Sequence, residues 1–179
     1  MRFIKVFLSA VFLFAFFSAY AKPITGAFGV KLGSPLWDYE MEKNLVFDVS
    51  TEEVEVIINK LAKFDSDFFD DVFLYSLPHS KKITKISGKK NSCSKLEKQA
   101  LIDSIENLYS EHDVVKTKKG FDSHYDYLIR DKNERYIGIY CSETDEPSMY
   151  IDYFDKNLES QYSIEQQDNL KKQINRSNL

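Results

Sequence analysis

Three runs near the C-terminal end decide the fold: Tyr125-Asp126-Tyr127-Leu128-Ile129, Arg135-Tyr136-Ile137-Gly138-Ile139-Tyr140-Cys141-Ser142 and Ser148-Met149-Tyr150-Ile151-Asp152-Tyr153-Phe154. Each is rich in β-branched and aromatic residues, which fit a pleated, half-buried surface. Asp131-Lys132-Asn133-Glu134 and Thr144-Asp145-Glu146-Pro147 separate them, and both are made of turn formers. Strands joined by such short connections pair as antiparallel hairpins. Successive side chains alternate between the faces of a strand. Ile137, Ile139 and Cys141 therefore share one face, and Tyr136, Gly138 and Tyr140 the other. Met149, Ile151 and Tyr153 likewise share a side.

Upstream of these strands, Ser94-x-x-Glu97 is a capping box. Leu96, Ala100, Leu101, Ile105, Leu108 and Tyr109 follow at helical spacing, predicting a helix over Ser94 to His112 with a broad apolar face. Ser50-Thr51-Glu52-Glu53 is a second capping box. Val54, Ile57, Ile58 and Leu61 after it predict a helix from Thr51 to Lys63. Leu45 to Val49, Val72 to Leu77 and Lys81 to Ser87 read as further strands, and Phe28 to Gly33 as a short strand ending in a Gly-Ser-Pro turn. Ser163 to Arg176 carries only a weak stripe and predicts a marginal C-terminal helix. Strands in runs with inserted helices, rather than in βαβ alternation, give an α+β fold: an antiparallel sheet with two main helices packed on it.

The chain's two cysteines, Cys93 and Cys141, fall on the helix start and on the Ile137/Ile139 strand face. If the helix packs on that face, a Cys93–Cys141 disulfide staples the layers. It closes a loop of about 48 residues, worth on the order of 4 kcal/mol in the chain-entropy model.

The other end of the sequence fixes the expected location. Arg2 and Lys5 form a positive head, Val6 to Phe17 an apolar run broken only by Ser9, and Ala19 and Ala21 the small residues of a cleavage site. This is the pattern of a secretory signal peptide over 1–21. It leaves a single domain over 22–179, periplasmic or extracellular, with no membrane anchor after cleavage. Without Arg2 and Lys5, the 24 basic residues become 22 against 28 acidic. Such an acidic protein does not suit nucleic acid.

Sites of known chemistry are sparse. His79, His112 and His124 share no metal-binding spacing, and no G-x-S-x-G marks a nucleophile. Asp65, Asp67, Asp70 and Asp71 lack the glycine and distal glutamate of a calcium loop. Lys81, Lys82, Lys85, Lys89 and Lys90 form a basic patch, read as a charged edge or loop that blocks strand-to-strand aggregation, or as a docking site for an acidic partner or a phosphate-rich surface glycan. No metal or cofactor is expected. Tyr136 and Tyr140, if they face outward, make the candidate binding surface.

Phe28-Gly29-Val30-Lys31-Leu32-Gly33-Ser34-Pro35 resembles the F-G-[IVL]-x-L-G opening strand of small uncharacterised exported bacterial α+β domains. The order of a Cys before a helix and a second Cys closing an I-x-I-x-C strand is similar too. The resemblance implies a compact periplasmic domain and carries over no catalytic residue. The expected function is a non-enzymatic binding or interaction module whose partner is an envelope protein or a glycan. The alternative is an envelope hydrolase whose site is assembled only in the fold.

Overall fold

A computed structural model describes residues 22–50, 55–115, 124–142 and 147–177. Residues 1–21, read above as a signal peptide, lie outside them. A small hairpin, β1 (Gly26–Ala27) and β2 (Val30–Lys31), precedes β3 (Met41–Ser50), β4 (Glu55–Leu61), β5 (Asp71–Ser76) and β6 (Ile83–Lys90). Helix α1 (Lys95–Leu108) leads to β7 (Asp113–Val114), β8 (Tyr127–Arg130), β9 (Arg135–Ser142) and β10 (Ser148–Asp155), then α2 (Lys156–Glu159) and α3 (Gln161–Ser177). The large sheet has eight strands in the order β3-β4-β5-β6-β10-β9-β8-β7, all antiparallel. Two four-stranded meanders thus join where β6 meets β10, and each is followed by helix. The fold is α+β, as the strand runs predicted.

The helix predicted over Thr51 to Lys63 is a correction. Glu55–Leu61 is strand β4, paired with β3 and β5; Thr51 to Val54 lie outside the described residues. Its consecutive Val56, Ile57 and Ile58 are β-branched and lose side-chain freedom in a helix. Two flanking strands also satisfy the backbone that a helix would satisfy internally. The other capping box is realised in full. Ser94 Oγ accepts from the Glu97 backbone N–H at 3.1 Å, and Glu97 Oε2 accepts from the Ser94 N–H at 3.3 Å.

The inner face of the sheet is apolar and closed over its central strands. Val72, Leu74, Ile86, Ile137, Ile139 and Ile151 form it, under the N-terminal segment, α1 and the Phe64–Phe69 loop. Helix α1 docks through Leu101, Ile102, Ile105 and Tyr109. Its face is rotated from the expected one: Leu96 is 81% exposed and Leu108 also points to solvent. Cys93, just before the N-cap, is bonded to Cys141 of β9 with Cα atoms 6.0 Å apart. The bond staples helix to sheet as predicted.

The β1–β2 turn explains its own odd residue. Ala27 pairs with Val30, so the loop is Phe28-Gly29, both with positive φ (55° and 78°), as a type I′ turn requires. Phe28 is a bulky residue in the left-handed region, held there by packing. Its ring lies on Gly88, where a Cβ would stand 2.7 Å from Phe28 Cζ. It also meets Phe69 edge-on at 5.3 Å.

Candidate functional site

The outer face of the sheet carries the chemistry, and the register builds it. Tyr150 stands opposite Tyr140, Asp152 opposite Gly138, and Phe154 opposite Tyr136. Across the next seam Lys89, Ser87 and Lys85 face the same three β10 residues. Beyond them Asp71, Phe73 and Tyr75 complete the grid from β5. Gly138 leaves a gap in the aromatic row, and the Tyr125 ring fills it. A Cβ at Gly138 would lie 2.4 Å from that ring.

From there Tyr125 reaches the centre of the face. Asp152 is 0% exposed. Its Oδ2 accepts from the Tyr125 hydroxyl at 2.9 Å and lies 2.8 Å from Lys85 Nζ, while its Oδ1 accepts from Ser87 Oγ at 2.6 Å. A buried carboxylate is tolerated only when so paired. Burial opposes charge on Lys85, but Asp152 beside it, with Tyr75 adding, holds its ammonium above the ordinary value. That ammonium sits over the Tyr75 ring, 4.6 Å from its centroid, a favourable cation–π contact. Burial pushes the Tyr125 phenol up, and Asp152 adds to the shift; the hydroxyl stays a neutral donor. Burial also pushes the Glu159 carboxyl up to about 7, with Lys85 opposing and Asp152 reinforcing.

The rings continue the network. Tyr140 stacks on Tyr150 at 4.9 Å, Tyr125 meets Tyr140 edge-on at 5.5 Å, and Phe154 stacks between Tyr125 (5.8 Å) and Tyr136 (5.0 Å). The predicted pair therefore divides. Tyr136 and Tyr140 do share the face opposite Ile137 and Ile139. Yet Tyr136 is only 6% exposed, in a second small core with Tyr125, Leu128 and Phe154. Its hydroxyl donates to Glu134 at 2.7 Å, and burial, with Glu134 adding, pushes it up to about 12. The expectation of an open Tyr136 is corrected: Phe154, directly opposite, covers it. Tyr140, Tyr150, Phe73 and Tyr75 are half-buried, so the accessible part of the face lies nearer β5 and β6 than expected.

The remaining sequence candidates scatter. His79 lies in the β5–β6 turn, His112 packs beside Tyr109, and the His124 ring lies 3.8 Å from that of Tyr125, tilted by 41°. No group of three metal-binding side chains occurs among the described residues. Asp70 accepts from the Asn91 N–H and Asp71 pairs with Lys60 at 2.8 Å, so half of the acidic loop serves structure. The basic run splits because β6 is a central strand. Lys85 and Lys89 face outward, while Lys90 turns to the inner side, near Glu97 and over Phe68. The charged-edge reading is thereby corrected for Lys85, Lys89 and Lys90, while Lys81 and Lys82 lie in the connection just before β6. Asp152, Ser87 and Glu159 were not singled out from sequence; the one local signal was a glycine between two outward tyrosines. The chain matches no known family model, no curated protein and no solved structure.

Proposed function

We propose that this chain is an exported envelope protein, periplasmic or extracellular, acting as a non-enzymatic binding module through its outer sheet face. The observation that carries the reading is the half-exposed set Phe73, Tyr75, Tyr140 and Tyr150, interleaved with Lys85 and Lys89, with Lys85 paired to the buried Asp152. Tyrosines locked by stacking offer contact area at low entropy cost on binding. The signal-peptide pattern supports export, and one disulfide suits an oxidising compartment. The test is capture from envelope extract by the tagged mature protein. Tyr140→Ala with Tyr150→Ala loses the captured partner while the protein still melts cooperatively, and His79→Ala keeps it. Retention by the double variant overturns the reading.

One observation favours a hydrolase instead: a carboxyl near pKa 7, Glu159, close to Lys85 and Asp152. Against it, Ser87 and Asp152 are sealed from solvent. That reading requires turnover of an ester or glycoside probe that Glu159→Gln abolishes.

A further inference from the structure

A cleft of about 490 Å³ opens on the inner side of the sheet, away from the tyrosine face, between the β1–β2 turn and the end of β4. Its size falls within the roughly 300–1,000 Å³ of ligand clefts. The apolar part of its lining is Phe28, Val30, Leu61 and Phe64. Three exposed carboxylates stand around it, on Asp38, Glu40 and Asp65, against one ammonium, on Lys63. Lys63 Nζ lies 3.1 Å from Glu40 Oε2, and both side chains are largely exposed. Such a pair is worth about 1 kcal/mol or less and exchanges readily. An ammonium from elsewhere can therefore take the place that Lys63 occupies.

Two more observations bear on the cleft. The wall at Phe28 is pre-formed, because that ring is wedged onto Gly88 and against Phe69, so little ordering is needed on binding. Trp37, the only tryptophan of the chain, is 70% exposed and adjoins Asp38 in a single 3-10 turn. The indole is not part of the cleft lining, but it is the sequence neighbour of the rim carboxylate of Asp38 and so can report on what binds there.

We propose that this cleft binds a peptide segment in which Lys or Arg sits beside an apolar side chain. The apolar side chain enters against Phe28 and Phe64, and the cation meets Asp38, Glu40 and Asp65. The charge complementarity selects the partner, and the proposal stands whether or not the tyrosine face binds anything.

The probe is an acetylated, amidated pentapeptide of alternating leucine and lysine, with its glutamate-for-lysine counterpart as control. Trp37 emission reports binding, and anisotropy of a dye-labelled peptide reports it independently. The lysine peptide saturates the protein and the glutamate peptide does not. Added salt weakens binding, as for any exposed charge contact. Asp38→Asn with Asp65→Asn weakens it about tenfold, and Lys63→Gln tightens it severalfold; all three residues are exposed, so the fold is unaffected. Equal binding of both peptides, absence of saturation, or unchanged affinity in the rim variants overturns the proposal. Self-association of the chain without peptide, lost in the same variants, assigns the cleft to a second copy and overturns it too.

Discussion

The two faces of the sheet solve the same packing problem with different materials. Each has a glycine on a central strand covered by an aromatic ring from outside the strand: Gly88 under Phe28 on the inner face, Gly138 under Tyr125 on the outer. On the inner face the rings and aliphatic chains close over the central strands. On the outer face the covering ring also carries a hydroxyl to a buried carboxylate, which holds Lys85 and Ser87 as well. Apolar packing is non-directional and tolerates small adjustments. A buried charge with three partners fixes positions and penalises any loss among them.

That contrast can be broken at neighbouring residues. Asp152→Ala removes the carboxylate that pairs the half-buried Lys85 ammonium and leaves Tyr125 and Ser87 without their acceptor, and is expected to cost about 3–5 kcal/mol. Ile151→Ala, one residue away on the closed face, costs about 2–5 kcal/mol as a cavity. The two differ in rescue: Lys85→Met restores much of the Asp152→Ala loss and none of the Ile151→Ala loss, read by denaturant unfolding. Cys141→Ser unties the inner layer from α1 and lowers stability by about 2–4 kcal/mol under non-reducing conditions; an unchanged melting temperature contradicts the staple. Gly138→Ala and Gly88→Ala each force a ring off its seat, for about 1–3 kcal/mol. Only Gly138→Ala also perturbs the Tyr125 hydroxyl, which near-ultraviolet difference spectra resolve.

A comparable effect is electrostatic. Glu159 has a folded pKa of about 7, above its unfolded value. Its neutral form is thus favoured in the native state, and its contribution is complete below the unfolded pKa. That contribution fades as pH rises toward and through 7. Wild type should lose on the order of 2 kcal/mol relative to Glu159→Gln between pH 5 and 8. Parallel pH profiles remove this reading of Glu159.

What the sequence made legible follows from range. The C-terminal hairpins, the Ser94 cap and the Cys93–Cys141 pairing rest on contacts within one strand or turn, or on two faces each readable locally. The Ser50 box shows the limit. It has the same spacing as the Ser94 box, but Val56-Ile57-Ile58 follows it, where α1 has Leu96, Glu97, Lys98, Gln99 and Ala100, which are good helix formers. The outer-face site was hidden for a different reason. Asp152 meets Lys85 and Ser87 only through the β6–β10 register, some 65 residues apart, and no local period encodes which distant strand comes alongside. The burial of Tyr136 was hidden likewise, since it depends on Phe154 standing opposite.

The most direct test of the outer face is a double-mutant cycle on Lys85→Met and Asp152→Leu, measured by denaturant unfolding. If Asp152 organises that face, each single change is strongly destabilising and the double variant recovers most of the loss, giving a coupling of about 2 kcal/mol or more. Additive losses, with a coupling of about 0.5 kcal/mol or less, would mean that the carboxylate and ammonium do not depend on one another, and the account would be wrong.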